Sequence, residues 1–133
     1  MQVDPNILVF GDLNYTNPNC PKEDAEMQTL VNQIKKKYPD LLFTHIKNEG
    51  KRTKQQIDFD RSMGFLNGVS DLVFFGNPCL LLELKRQDHK MSRWQPNQQQ
   101  FLLNAQKQGC MSCVCFGWVA GMEALENWLK VKK

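Results

Sequence analysis

Two carboxylates and one amine stand on apolar segments near the middle of this chain. The first segment reads Gly68-Val69-Ser70-Asp71-Leu72-Val73-Phe74-Phe75, and the second, after the triplet Gly76-Asn77-Pro78, reads Leu80-Leu81-Leu82-Glu83-Leu84-Lys85. A charge beside a core is costly unless it is paired or bound to a cation. Paired carboxylates supply the oxygen ligands that Mg²⁺ and other hard cations take. An amine next to them can stabilise developing negative charge or orient an attacking water. A structural ion pair of Lys85 with Asp71 or Glu83 is the competing explanation, and these three residues alone leave both open.

Strand geometry decides whether the three can meet. Residues 72–75 and 80–84 read as strands, joined by a turn-forming triplet. Side chains alternate along a strand, so Glu83 and Lys85 point the same way. A hairpin symmetric about Asn77 places Phe75 opposite Cys79, Val73 opposite Leu81 and Asp71 opposite Glu83. Directly opposed residues share a face, so Asp71, Glu83 and Lys85 converge at one end of the hairpin.

Two helices are expected to flank that end. Met27, Leu30, Val31 and Ile34 recur at the spacing of one buried helix face, in a helix opened by Pro21 and closed by Pro39. At about 100° per residue, Glu23 extends this face by a turn, while Asp24 and Glu26 fall to the side. The second helix is opened by Pro96 and closed by Gly109. There Gln98 lies on the line of Phe101, Leu102 and Ala105, and Gln95, Gln99 and Gln100 lie off it. Each buried stripe thus begins with a polar residue, which is either simple fraying or a shared polar site; the second reading is favoured because the sheet offers such a site. Elsewhere, Ile7 to Phe10 reads as a possible edge strand, 41–46 as a strand, 53–63 as a short helix, 111–116 as a strand and about 122–131 as a last helix. The expected architecture is an α/β domain with a mixed central sheet flanked by helices.

Bulk properties exclude several classes. The chain has 133 residues, 41% of them hydrophobic and 23% charged, as expected for a globular domain with one core. No apolar run approaches the ~20 residues of a membrane-spanning helix, and the N-terminus lacks the pattern of a secretory signal. An intracellular protein without a membrane partner is the expectation. Five cysteines, at 20, 79, 110, 113 and 115, then read as reduced thiols. Cys110, Cys113 and Cys115 suggest a metal cluster, but their segment reads as a buried strand and no second ligand pair accompanies it. The net charge of +3 is too small to prove a polyanionic partner. Lysines 35–37 fit a helix C-terminus, whereas Lys47, Lys51, Arg52 and Lys54, and Lys85, Arg86, Lys90 and Arg93, flank the carboxylates and are candidates for phosphate contact. Trp94, Phe65 and Trp118 read as packing residues before stacking or interface groups. No glycine-rich phosphate loop or Ser/His/Asp set supports a small metabolic enzyme.

Taken in order, Glu23, the turn Asn48-Glu49-Gly50-Lys51-Arg52, Gly68-Val69-Ser70-Asp71, Glu83-Leu84-Lys85, Met91-Ser92, Gln98, Phe101, Leu102 and Gly109 resemble the VRR-NUC branch of the PD-(D/E)XK nuclease superfamily. The resemblance covers about residues 23–117 and implies a single nuclease domain over 1–133, with 1–20 as an N-terminal extension, 21–117 as the catalytic core and 118–133 as a C-terminal helix. It implies a restriction-endonuclease-like core and a Mg²⁺-dependent endodeoxyribonuclease, with Mn²⁺ able to substitute and no organic cofactor. Asp71, Glu83, the backbone carbonyl of Leu84 and Glu23 would hold the ion. Lys85 would position or activate the water, and Gln98 would hold Lys85 or the scissile phosphate. Asn48, Lys51, Arg52, Lys54 and Arg86 would contact nucleic acid. Ser70 stands where the family usually has proline, the spacing before Gln98 is lengthened by residues 93–96, and Glu26 is the rival to Glu23. Stand-alone members of phage and bacterial type imply a homodimer that cuts branched DNA such as four-way (Holliday) junctions in DNA repair. The alternative is a nucleic-acid-binding module that keeps the fold without catalysis.

Overall fold

The computed structural model describes residues 1–46 and 52–133. Its elements run β1 (Leu8–Phe10), α1 (Glu23–Lys37), β2 (Phe43–His45), α2 (Lys54–Ser62), β3 (Leu72–Phe74), β4 (Leu80–Lys85), α3 (Gln98–Lys107), β5 (Met111–Phe116) and α4 (Trp118–Val131), with a 3-10 turn at His89–Met91. Among the described residues the strands form one mixed sheet of order β1-β5-β4-β3-β2. β5 is parallel to both β1 and β4, while β3 is antiparallel to β4 and to β2. A parallel neighbour needs a crossover, and α3 supplies the one between β4 and β5.

The alternation of β4 divides the protein into layers. Leu80, Leu82 and Leu84 face a core built with Leu30 and Ile34 of α1 and Ala124, Leu125 and Trp128 of α4. Leu81 faces the opposite way, into a smaller cluster with Leu102 of α3, Val114 and Phe116. Cys113 and Cys115 are buried in the larger core, which accords with the strand reading of their segment. α1 and α4 pack so closely that a Cβ at Gly121 would stand 2.8 Å from a Leu30 methyl. The hairpin register pairs Leu72 with Leu82, Val73 with Leu81 and Phe74 with Leu80. Continued by one residue, it sets Asp71 opposite Glu83, as the symmetric turn requires.

Local signals account for most ends. α1 has Glu23, Asp24 and Glu26 in its first turn and Lys35, Lys36 and Lys37 in its last, the arrangement its dipole favours. Thr53 and Gln56 form a reciprocal capping box at the start of α2. Three expectations need correction. α4 begins at Trp118, four residues before the expected Met122, because a carboxylate from α1 caps it: Glu26 accepts the Trp118 N–H at 2.6 Å. Glu26 itself is buried with Leu30 and Ile34, not turned aside, so the buried stripe of α1 is rotated from the phase that Met27 and Val31 suggest. Phe65, expected in the core, is 65% exposed.

Candidate active site

The fold brings Glu23, Asp71, Glu83, Lys85 and Gln98 together where β4 ends and β3 begins. α1 reaches the site from one layer and α3 from the other, so the two polar helix starts meet around the end of β4. Glu83 and Lys85 are on the α3 side of the strand. They are 1% and 2% exposed, burial that neither side chain tolerates without partners.

Lys85 has those partners. Its Nζ donates to the backbone carbonyl of Arg93 and to Gln98 Oε1, both at 3.0 Å. The carboxylates of Glu83 at 3.7 Å and Glu23 at 3.9 Å lie beside it. The Trp94 ring, centred 5.9 Å away, walls the ammonium. Gln98 opens α3 and is fixed from both ends: its Oε1 also accepts the Gln95 N–H at 2.8 Å, and its Nε2 donates to Glu83 Oε1 at 2.9 Å. The amide therefore ties the carboxylate to the ammonium and sets the orientation of each.

Among the described residues the second oxygen of Glu83 accepts no hydrogen bond, and the adjoining Asp71 carboxyl can pair with Glu83 only by sharing a proton. A buried carboxylate oxygen left this way loses its hydration without replacement. Burial and then the neighbouring Asp71 carboxylate push the Glu83 carboxyl well above its ordinary pKa, against the pull of Lys85. Asp71 is raised by burial as well, opposed by the hydrogen bond that its Oδ2 accepts from the Leu84 N–H at 2.7 Å. Glu23 is half-exposed and raised by burial, with Lys85 pulling the other way. Ser92 Oγ donates to Glu23 at 3.3 Å and accepts the Arg86 N–H at 3.0 Å, linking the helix carboxylate to the end of β4.

The donor set suits a hard cation. Asp71, Glu23 and Leu84 line one small cavity of about 50 Å³, and the unsatisfied Glu83 oxygen adjoins the Asp71 carboxyl. Among the described residues no three His, Cys, Asp or Glu side chains come together closely enough to hold a metal ion by themselves, so the side-chain ligands here number at most two. Two carboxylates, a backbone carbonyl and bound waters are what Mg²⁺ takes, in contrast to the closed cages of structural zinc.

Several contributors escaped the sequence reading. His45, at the end of β2, lines the same small cavity; only the long-range pairing of β2 with β3 places it there. The Arg93 carbonyl and the Trp94 ring are set by the irregular stretch after β4. Residues near the N-terminus support that stretch and the start of α3: Gln2 O accepts the Trp94 indole N–H at 2.7 Å, and Asp4 N donates to Gln99 Oε1 at 2.7 Å.

Of the expected nucleic-acid contacts, Asn48 and Lys51 lie outside the described residues. Lys54 is exposed in the first turn of α2. Arg52 is paired with Asp60 and Asn67. Arg86 donates to the carbonyls of Pro21 at 3.1 Å, Cys20 at 2.5 Å and Pro18 at 3.5 Å. Its guanidinium thus holds the segment entering α1, a positioning task that short-range charge runs do not reveal.

No family model and no curated protein matches the chain in sequence. Among solved structures it is similar to one described as a VRR_NUC domain protein, at 20% identity and a TM-score of 0.63, over 84% of this chain and 91% of that one. That likeness, with the mixed sheet and its flanking helices, gives the chain the restriction-endonuclease-like fold of a VRR_NUC domain.

Proposed function

We propose that this protein is a Mg²⁺-dependent endonuclease that hydrolyses phosphodiester bonds of DNA and prefers branched DNA such as four-way junctions. The observation that carries the reading is the unsatisfied Glu83 oxygen beside Asp71, in a site whose lysine is held by two acceptors. An ion pair kept only for stability has no need of the orphaned oxygen, the second carboxylate and the bridging glutamine together.

Asp71, Glu83 and the Leu84 carbonyl would hold the cation, with Glu23 completing the shell through water. When bound, the ion lowers the pKa of a water and clamps the phosphate for in-line attack, and Mn²⁺ can substitute. Lys85 has three N–H bonds, two of them directed at Arg93 O and Gln98. The third is available on the carboxylate side, for the attacking water or a phosphate oxygen. Gln98 keeps the ammonium on that line, and Trp94 screens it from bulk water. The preference for branched DNA and a homodimeric assembly rest on the sequence resemblance; a two-fold dimer matches the symmetry of a four-way junction.

A panel of labelled single strands, duplexes, flaps and four-way junctions, incubated with chelator, Mg²⁺ or Mn²⁺, tests the reading. Cleavage is expected only with a divalent cation, fastest on the junction, and Lys85→Ala is expected to slow it at least ~100-fold. No cleavage with any divalent cation, or cleavage indifferent to Lys85→Ala, contradicts it. Metal-independent, salt-sensitive binding that survives Asp71→Asn, without cleavage, would instead identify a binding module.

A further inference from the structure

Large apolar side chains gather at the end of α2, left largely uncovered by the described residues. Phe59, Met63, Phe65 and Leu66 are each about two-thirds exposed, at 64%, 65%, 65% and 66%. Scattered single exposures need no explanation, but a contiguous set marks a surface that meets something. Phe65 and Leu66 form one wall of an open groove of about 450 Å³, whose other wall is α3. That volume falls in the range of ligand-sized clefts.

The polar lining indicates the occupant. Asn97, Gln100, Phe101 and Asn104 line the groove from α3, at the i, i+3, i+4, i+7 spacing of one helix face. Asn67 and Arg61 complete it from the opposite wall, and among the described residues no acidic side chain lines it. Gln100 Nε2 donates to Asn104 Oδ1 at 2.9 Å, which leaves the carbonyl of the first amide and the NH₂ of the second for an outside partner. Aromatic faces, paired amide donors and acceptors, and one arginine are the chemistry that receives a base and its phosphate. A purely apolar partner would leave the amides unpaired, and a basic one would meet Arg61.

The groove is also fixed relative to the catalytic set. A Cβ on Gly68 would stand 2.4 Å from the Asn97 carbonyl carbon, so the loop carrying Phe65 is seated directly on the start of α3. Gln98, the next residue, turns the opposite way and holds Glu83 and Lys85. One helical turn therefore presents the groove on one side and the candidate active site on the other.

From this placement we propose that the groove receives one unpaired nucleotide of the DNA substrate, its base stacked on Phe65 and its edge read by Gln100 and Asn104, with Arg61 on the adjoining phosphate. The proposal rests on the nuclease reading and deepens it. It supplies a physical reason for a preference for DNA with unpaired or strained bases over regular duplex, which offers no base to the groove.

The test uses the whole chain and two DNAs: a duplex with 2-aminopurine as its single bulged base, and its fully paired counterpart. Affinity is read by anisotropy in Ca²⁺ and base stacking by 2-aminopurine quenching, with Mg²⁺ cleavage measured alongside. Phe65→Ala is expected to abolish the quenching and weaken binding of the bulged DNA roughly tenfold, with less than about a twofold change on the paired duplex. Phe65→Trp restores both signals, and Phe59→Ala, on α2 but outside the groove, changes neither. Phe65→Ala that matches the wild type, or that weakens both DNAs equally, overturns the subsite while leaving cleavage intact. A change in sedimentation on Phe65→Ala with unaltered DNA binding gives the face to a second copy of the chain and also overturns it. A wild-type protein that neither binds nor cuts either DNA overturns the nuclease reading, and the subsite with it.

Discussion

Glu83 is held in an environment that opposes its own charge. Burial and the Asp71 carboxylate raise its pKa, so the native state binds that proton more tightly than the unfolded chain does. Such a group favours folding below the ordinary glutamate pKa of about 4.3, and the advantage is lost as the pH rises through the raised native value. In chelator, the melting temperature is therefore expected to fall as the pH climbs from about 5 towards neutrality. Glu83→Gln removes the charge and keeps a carbonyl for Gln98, so it is expected to melt a few degrees above the wild type at neutral pH, as a gain of about 1 kcal/mol would give. A variant that melts lower, or an unchanged pH slope, argues that the carboxyl is well satisfied without a cation. Asp71, Glu83 and Lys85 were legible in the sequence because the period of two and a symmetric turn fix which side chains meet. His45 and the Arg93 carbonyl were not, since neither carries a local signal and both arrive by long-range placement.

At the scale of elements, the helix starts carry most of the design. Glu26 links α1 to α4 by capping the Trp118 N–H. Glu26→Ala is expected to cost roughly 1–2 kcal/mol, as lost caps do, seen as a lower melting temperature with the cleavage rate per folded molecule unchanged. Gly68 sits at φ +80 against the Asn97 backbone. Gly68→Ala adds strain and displaces the loop that leads to Asp71, so stability should fall by about 1–3 kcal/mol and cleavage should fall beyond that loss. Cleavage that tracks the folded fraction alone would show that the loop does not position Asp71. The two faces of α3 were partly legible: Gln98 lies on the apolar line with Leu102, whereas the groove face needs α2 beside it to acquire meaning. The start of α4 was misplaced because its cap comes from α1, ninety-two residues earlier in the chain, and local patterning carries no trace of such a partner.

For the whole molecule, the parallel β4–β5 pair and its α3 crossover place the end of β4 between layers, where α1 and α3 can both contribute to one site. The mixed sheet was readable from the order of apolar segments, and the likeness to a VRR_NUC domain protein over most of both chains agrees with it. The N-terminal extension was not readable as part of the site. β1 joins the sheet as an edge strand beside β5, and the residues before it brace Trp94 and α3. The central claim is that the Asp71–Glu83 pair exists to hold a divalent cation. Calorimetric titration of Mn²⁺ into chelator-stripped protein tests it directly, comparing the wild type with Glu83→Gln. Saturable binding by the wild type and its loss in Glu83→Gln is the predicted result; no binding by the wild type, or equal binding by both proteins, would contradict the account.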